Sequence, residues 1–180
     1  MKLFISPHND DETLFGAFTL MREKPLVVIV TDSYIQPNRG DKGCSARERR
    51  EETSKAMKLL GCPVFFAGLR DDVVTSGDVV SLLASFEGFE TVYAPAVQGG
   101  NIHHDMIGNV ALQVFNNNLI QYTTYTKTEL HTKGTIELVP TFEERELKNK
   151  ALWSYQSQIN LASTRPHFEA AIGESEWLIK

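Results

Sequence analysis

Residues 6–12 read Ser-Pro-His-Asn-Asp-Asp-Glu and crowd one imidazole and three carboxylates into seven positions. That set suits a divalent metal. His8 and Asp11 are three apart, so one tight turn can aim both at a single cation, while Asp10 faces elsewhere and stays free to handle a proton. The competing reading is a capping turn, in which Asp10 or Asp11 accepts amide hydrogens at the positive end of a helix dipole. A second group follows much later: Gln98-Gly-Gly-Asn-Ile-His-His-Asp-Met-Ile-Gly108 places two adjacent histidines after a glycine turn. Catalytic zinc usually takes three protein ligands and keeps one position open, so His103 or His104 is needed to complete a set begun by His8 and Asp11. In isolation the same pair would serve as helix caps or solvated groups. His131 and His167 lack such company and are expected as surface or structural residues.

The elements that must position these groups follow from the apolar pattern. Leu3, Phe4 and Ile5 read as an opening strand, and Leu14, Phe15, Phe18, Leu20 and Met21 recur at helical spacing. The first cluster therefore sits at a strand's carboxyl end, where open α/β sheets place their chemistry. Residues 25–31 form a Val/Ile-rich run, as expected of a parallel strand buried on both faces, and it ends at Asp32. Residues 32–45 are polar, contain Pro37, Gly40 and Gly43, and make a candidate lid. An amphipathic helix from Ala46 stops at Gly61; strands at 64–67 and 91–95 and a helix at 79–86 follow, and a further helix runs to about residue 118. Acidic residues again lie just past the third strand, at 68–72. The expected fold is a single Rossmann-like α/β domain over residues 1–180, with a mostly parallel sheet flanked by helices.

Composition excludes several function classes. A chain of 180 residues buries roughly two-thirds of its unfolded surface and needs no staples. No apolar run approaches the roughly 20 residues that span a bilayer, and the amino terminus enters a strand without a secretory signal pattern, which points to the cytoplasm. Cys44 and Cys62 lack metal-site spacing and are expected as reduced thiols. A net charge of −5 disfavours nucleic acid, although the local run Arg47, Arg49 and Arg50 suits a small anionic ligand. Nothing in the composition fixes the oligomeric state, and a homo-oligomer is compatible with all of it.

The residues quoted first also carry a family resemblance. Pro7-His8-Asn9-Asp10-Asp11-Glu12 resembles the Pro-His-Pro-Asp-Asp-Glu motif of the LmbE/PIG-L zinc-dependent N-deacetylases, with Asn9 in place of a proline that supplies turn geometry. Arg49-Arg50-Glu51-Glu52, with Ala56 and Leu60-Gly61, is similar to the family's arginine-glutamate helix, Leu69-Arg70-Asp71 to its acidic turn, and Lys150 to Gln158, with Tyr155 and Ser157, to a late helix. The resemblance implies one Zn2+ per chain, His8 and Asp11 as ligands and Asp10 as general base. The second family motif reads Gly-His-Pro-Asp-His with a small residue four positions later. Gly108 then puts His104 on the metal, His103 at the usual aspartate and Asn101 at a leading histidine that helps the oxyanion or the leaving amine. The other register would put Met106 on the zinc, a poor ligand beside harder donors.

The implied reaction removes acetyl from an N-acetylated amino sugar or its conjugate. Asp10 takes a proton from an activated water, while Asn101 donates to the oxyanion without supplying a proton, and His103 stands as alternate ligand or acid. Asp32, Arg49 and Asp71 are candidates for holding sugar hydroxyls or a phosphate, with structural salt bridging as the alternative for Arg49 and Asp71. The competing class is a noncatalytic sugar- or nucleotide-binding module. A dinucleotide-binding reading has no Gly-x-Gly-x-x-Gly turn after the first strand to support it.

Overall fold

The computed structural model describes residues 1–33 and 44–180. Most of the expected lid, residues 34–43, lies outside the described residues. The chain runs β1 (Lys2–Ser6), α1 (Asp11–Glu23), β2 (Leu26–Thr31), α2 (Ala46–Leu60), β3 (Val64–Leu69), α3 (Ser76–Ala84), β4 (Thr91–Pro95) and α4 (Ile102–Phe115). It continues through β5 (Leu119–Tyr122), β6 (Ile136–Leu138), α5 (Phe142–Leu152), α6 (Gln156–Ile159), α7 (Arg165–Ala171) and β7 (Glu176–Ile179). These strands form one sheet in the order β3-β2-β1-β4-β5-β7-β6. The first five are parallel, and β7 pairs antiparallel with both β5 and β6.

This order explains why two motifs far apart in sequence meet. β1 has β2 on one side and β4 on the other, so the chain winds outward in both directions from the β1/β4 boundary. At such a switch point the loops leaving adjacent strands diverge and open a crevice at their carboxyl ends. The loop after β1 carries His8 to Asp11, and the loop after β4 leads into α4 with His103 and His104.

The central strands are apolar throughout because both faces are covered. On one face Phe4, Val27 and Ile29 pack with Leu14, Leu20, Met57 and Leu60 from the helices. On the other, Leu3, Ile5, Val28 and Val30 pack with Val79, Leu83, Ile107 and Val110. Gly108 lets α4 seat against the end of β4: a Cβ there would fall 2.5 Å from the Pro95 carbonyl oxygen. That contact fixes the height at which His104, one turn earlier, enters the crevice.

The late helix expected over residues 150–158 is broken. α5 ends at Leu152 and α6 begins at Gln156, because Tyr155 turns inward to reach Thr13 Oγ1 at 3.0 Å and the Glu12 carboxylate. Cys44 and Cys62 form no disulfide. Among the described residues no helix is long and apolar enough to cross a membrane.

Candidate metal centre and cleft

The start of α1 is built differently from those of its neighbours. Ser45, Thr75, Asn101 and Thr141 cap α2, α3, α4 and α5 with their side chains, as polar residues at helix starts usually do. Asp10 occupies the same position on α1 and makes no cap bond. Its backbone sits at φ 137°, a region costing on the order of 1–3 kcal/mol for a residue with a Cβ. Glu12 holds that conformation by accepting the Asp10 amide at 3.1 Å. The Asp10 carboxylate turns instead to Arg49, whose Nη2 lies 2.9 Å away. Asp11 likewise spends its carboxylate on the His8 amide, at 3.0 Å, so the capping-turn reading does not describe this segment.

Three donor atoms converge above β1 and β4. His8 Nδ1 and His104 Nε2 lie 2.9 Å and 3.0 Å from Asp11 Oδ2, and the two nitrogens are 3.3 Å apart. A tetrahedral zinc with bonds of about 2.0–2.1 Å holds its ligands roughly 3.3 Å from one another, so the triangle has the size of one zinc face and leaves a fourth position open. The donor set, two imidazoles and one carboxylate, fits that metal. Among the described residues this is the group of His, Cys, Asp and Glu that could hold an ion.

The outer nitrogen of each imidazole is also anchored. His8 Nε2 meets His103 Nδ1 at 2.9 Å, and His104 Nδ1 meets Thr124 Oγ1 at 3.3 Å. Such contacts fix the tautomer and the ring orientation of a metal ligand. His103 therefore stands behind His8, outside the triangle. The His8 imidazole is pulled down by burial, yet the Asp11 carboxylate outweighs this and the net shift is upward. Burial opposes ionisation of Asp11, but His104 and His8 overcome it and hold its carboxyl below the ordinary range. Burial pushes Asp10 up to about 6 against the pull of Arg49, close to the operating range of a general base.

The remaining expected residues divide. Asp32 and Asp71 line a cleft of about 980 Å³ that also contains His8, Asp10 and Asp11. Asp32 is paired with Arg50, 3.1 Å from its Nε, and Asp71 accepts the Ser33 amide at 3.2 Å. Arg49, a candidate for holding substrate or for structural salt bridging, takes the second part: it is 1% exposed, and its guanidinium is spent on Asp10, Glu52 and the Asn9 carbonyl. The basic run expected to meet an anion is likewise neutralised, since Arg47 pairs with Glu51 and Arg50 with Asp32.

Asn101, expected to face the oxyanion, accepts the His103 amide at 2.8 Å and donates to the Tyr125 hydroxyl at 3.1 Å. Asn9 does more than shape a turn: its amide ties Thr31 and Ser33 at the end of β2 to Thr53 of α2. His167, expected as a surface or structural residue, lines the cleft and packs on Tyr125, with ring centroids 4.7 Å apart. His131 packs half-buried on Phe15. Tyr125 was not among the expected residues; the available signal was its place just past β5, at the same sheet edge.

A family model described as PIG-L, GlcNAc-PI de-N-acetylase, matches residues 3–115. No curated protein matches the chain in sequence. Solved structures resemble it over nearly its whole length. The zinc-inhibited form of the teicoplanin deacetylase Orf2 aligns with a TM-score of 0.76 at 17% identity, covering 98% of this chain and 97% of that one. GalB, the 4-carboxy-2-hydroxymuconate hydratase of Pseudomonas putida, aligns with a TM-score of 0.73 at 15% identity, covering 99% and 95%. A conserved protein from Thermus thermophilus aligns with a TM-score of 0.72 at 18% identity, covering 99% and 93%. At these identities the likeness is one of fold, and the fold itself serves both a deacetylase and a hydratase.

Proposed function

The chain belongs to the PIG-L family, whose model is described as GlcNAc-PI de-N-acetylase, and on that premise we propose that it is a zinc-dependent hydrolase removing the acetyl group from an N-acetylated amino sugar or its conjugate. The observation that carries the reading is the triangle of His8 Nδ1, Asp11 Oδ2 and His104 Nε2 with the Asp10 carboxylate held beside it in a cleft. His8, Asp11 and His104 hold the metal. Bound there, zinc supplies Lewis-acid chemistry, acidifying a water and polarising an amide carbonyl.

The protein's own groups do the rest. Asp10 takes the proton of the attacking water and later returns it to the departing amine, so one carboxyl serves both halves of amide cleavage. Arg49 is the residue that aims it. The guanidinium fixes the carboxylate's direction and opposes the burial that pushes its pKa upward. His103 orients His8 through the outer ring nitrogen. Asp71 and Asp32, at the cleft wall, hold hydroxyls of the sugar.

Acetate release tests the reading. The chain loaded with zinc should free acetate from N-acetylglucosamine-type conjugates, stop when a chelator strips the metal, and recover when zinc returns. A protein that carries zinc and binds such sugars, yet frees no acetate from a broad panel, is the noncatalytic binding module instead.

A further inference from the structure

We propose that Tyr125 is a catalytic residue: its phenol donates a hydrogen bond to the oxyanion formed when the amide carbonyl is attacked, and Asn101 aims it. The proposal rests on the deacetylase reading above. Attack of water on an amide carbon moves the carbonyl π electrons onto oxygen, and a fixed donor facing that oxygen stabilises the transition state more than the ground state.

The donor's direction follows from the hydrogen bonds around it. The Asn101 side-chain oxygen is committed, because it accepts the His103 amide at 2.8 Å as the cap of α4. The atom that meets the Tyr125 oxygen at 3.1 Å is therefore the Asn101 amide nitrogen, which can only donate. A phenol oxygen that receives an N–H must send its own proton elsewhere. Among the described residues no acceptor takes that proton, although Tyr125 lines the same cleft as Asp10 and Asp11.

The ring cannot easily swing away. It is clamped by His104, Phe15 and His167, with centroids 5.2, 5.9 and 4.7 Å distant. Its backbone is pinned as well: a Cβ at Gly100 would fall 2.1 Å from the Tyr125 carbonyl oxygen, so only glycine allows this approach. One wall of the clamp is His104 of the donor triangle, and Tyr125 lines the cleft together with His8, Asp10 and Asp11. Burial and the nearby Asp11 charge raise the phenol's pKa, so it acts as a neutral donor and keeps its proton. His167 shares the cleft, but burial keeps its imidazole neutral and leaves it less suited to supply a proton.

Tyr125→Phe removes the donor and keeps the ring. In the zinc-loaded chain we expect kcat to fall roughly 10²-fold, the usual consequence of losing one oxyanion donor, with KM and zinc content unchanged. Affinity for a methylphosphonamidate analogue of N-acetylglucosamine, a tetrahedral anion, should fall by a similar factor, while affinity for N-acetylglucosamine itself holds. If the phenylalanine variant loses zinc or folds poorly, 3-fluorotyrosine at position 125 keeps the shape and makes the phenol a stronger donor, and analogue binding should then tighten. Analogue affinity that responds to neither change overturns the proposal. So does a rate loss matched by an equal rise in KM, which marks a role in packing alone. Failure of the native chain to free acetate sinks the deacetylase reading, and this one with it; acetate release by the native chain at a rate the phenylalanine variant matches sinks this one alone.

Discussion

Residues 3–115 and the chain beyond them contribute to one site in different currencies. The first region supplies the donor triangle and Asp10, all from the loop after β1 and the start of α4. The second supplies braces and, on the proposal above, the Tyr125 donor. Tyr155 meets Glu12, Ser157 donates to both carboxylate oxygens of Glu52 at 2.7 Å, and the Tyr122 hydroxyl reaches the Ile5 carbonyl at 3.0 Å.

The strongest brace enters α1 itself. Lys148 Nζ donates to the Leu14 carbonyl and Glu176 accepts the Phe18 amide, each at 2.9 Å, while the two side chains pair at 2.9 Å. Leu14 and Phe18 are one helical turn apart, so a buried ion pair grips both ends of the same turn. The metal-binding donors and Asp10 thus come from short contiguous motifs, and the groups that hold them still come from everywhere else.

Substitutions can separate the two contributions. The largest loss of activity should follow Asp10→Asn, which removes the base without changing its shape: acetate release falls roughly 10²–10⁴-fold while zinc content stays near native. Lys148→Met should do the reverse. It leaves Glu176 buried without its cation, which we expect to cost about 3–5 kcal/mol in urea unfolding, while the protein that remains folded still binds zinc. Equal damage by both substitutions to both readouts would erase the distinction between the regions.

Tyr155→Phe probes the seam, since its hydroxyl serves a carboxylate within the first motif. Loss of that buried bond should cost about 1.5–3 kcal/mol of stability and little activity. The smallest effect is a shift in pH profile. Asp10 works as a base only when ionised and its pKa lies at about 6, so kcat/KM should climb as pH rises through an acid limb near or below 6, where a bound cation adds to the pull of Arg49. Arg49→Met withdraws the largest of the protein's own attractions that favour the carboxylate, so the limb must move to higher pH. An unmoved limb would detach Arg49 from Asp10.

The same contrast decides what could be read without coordinates. His8, Asp10 and Asp11 lie within one turn, so their chemistry is visible in spacing alone, and the buried parallel strands announce themselves as Val/Ile runs. His104 needed the glycine four positions on, whose reason is the close approach to Pro95. What the sequence hid are relations across long separations. β6 is three residues long and β7 carries the buried Glu176, so neither reads as a strand. Arg49 reads equally as a substrate contact or a salt-bridge partner until Asp10 is placed against it, and His167 gives no sign of the cleft until α7 is folded beside it.

The identity of the side chains that hold the metal is the most direct test. After chelation and reloading with zinc, bound metal per chain should be about one equivalent in the native protein and in His103→Ala, and markedly lower in His8→Ala, Asp11→Ala and His104→Ala. Full retention of zinc by His104→Ala, together with its loss from His103→Ala, would contradict the triangle.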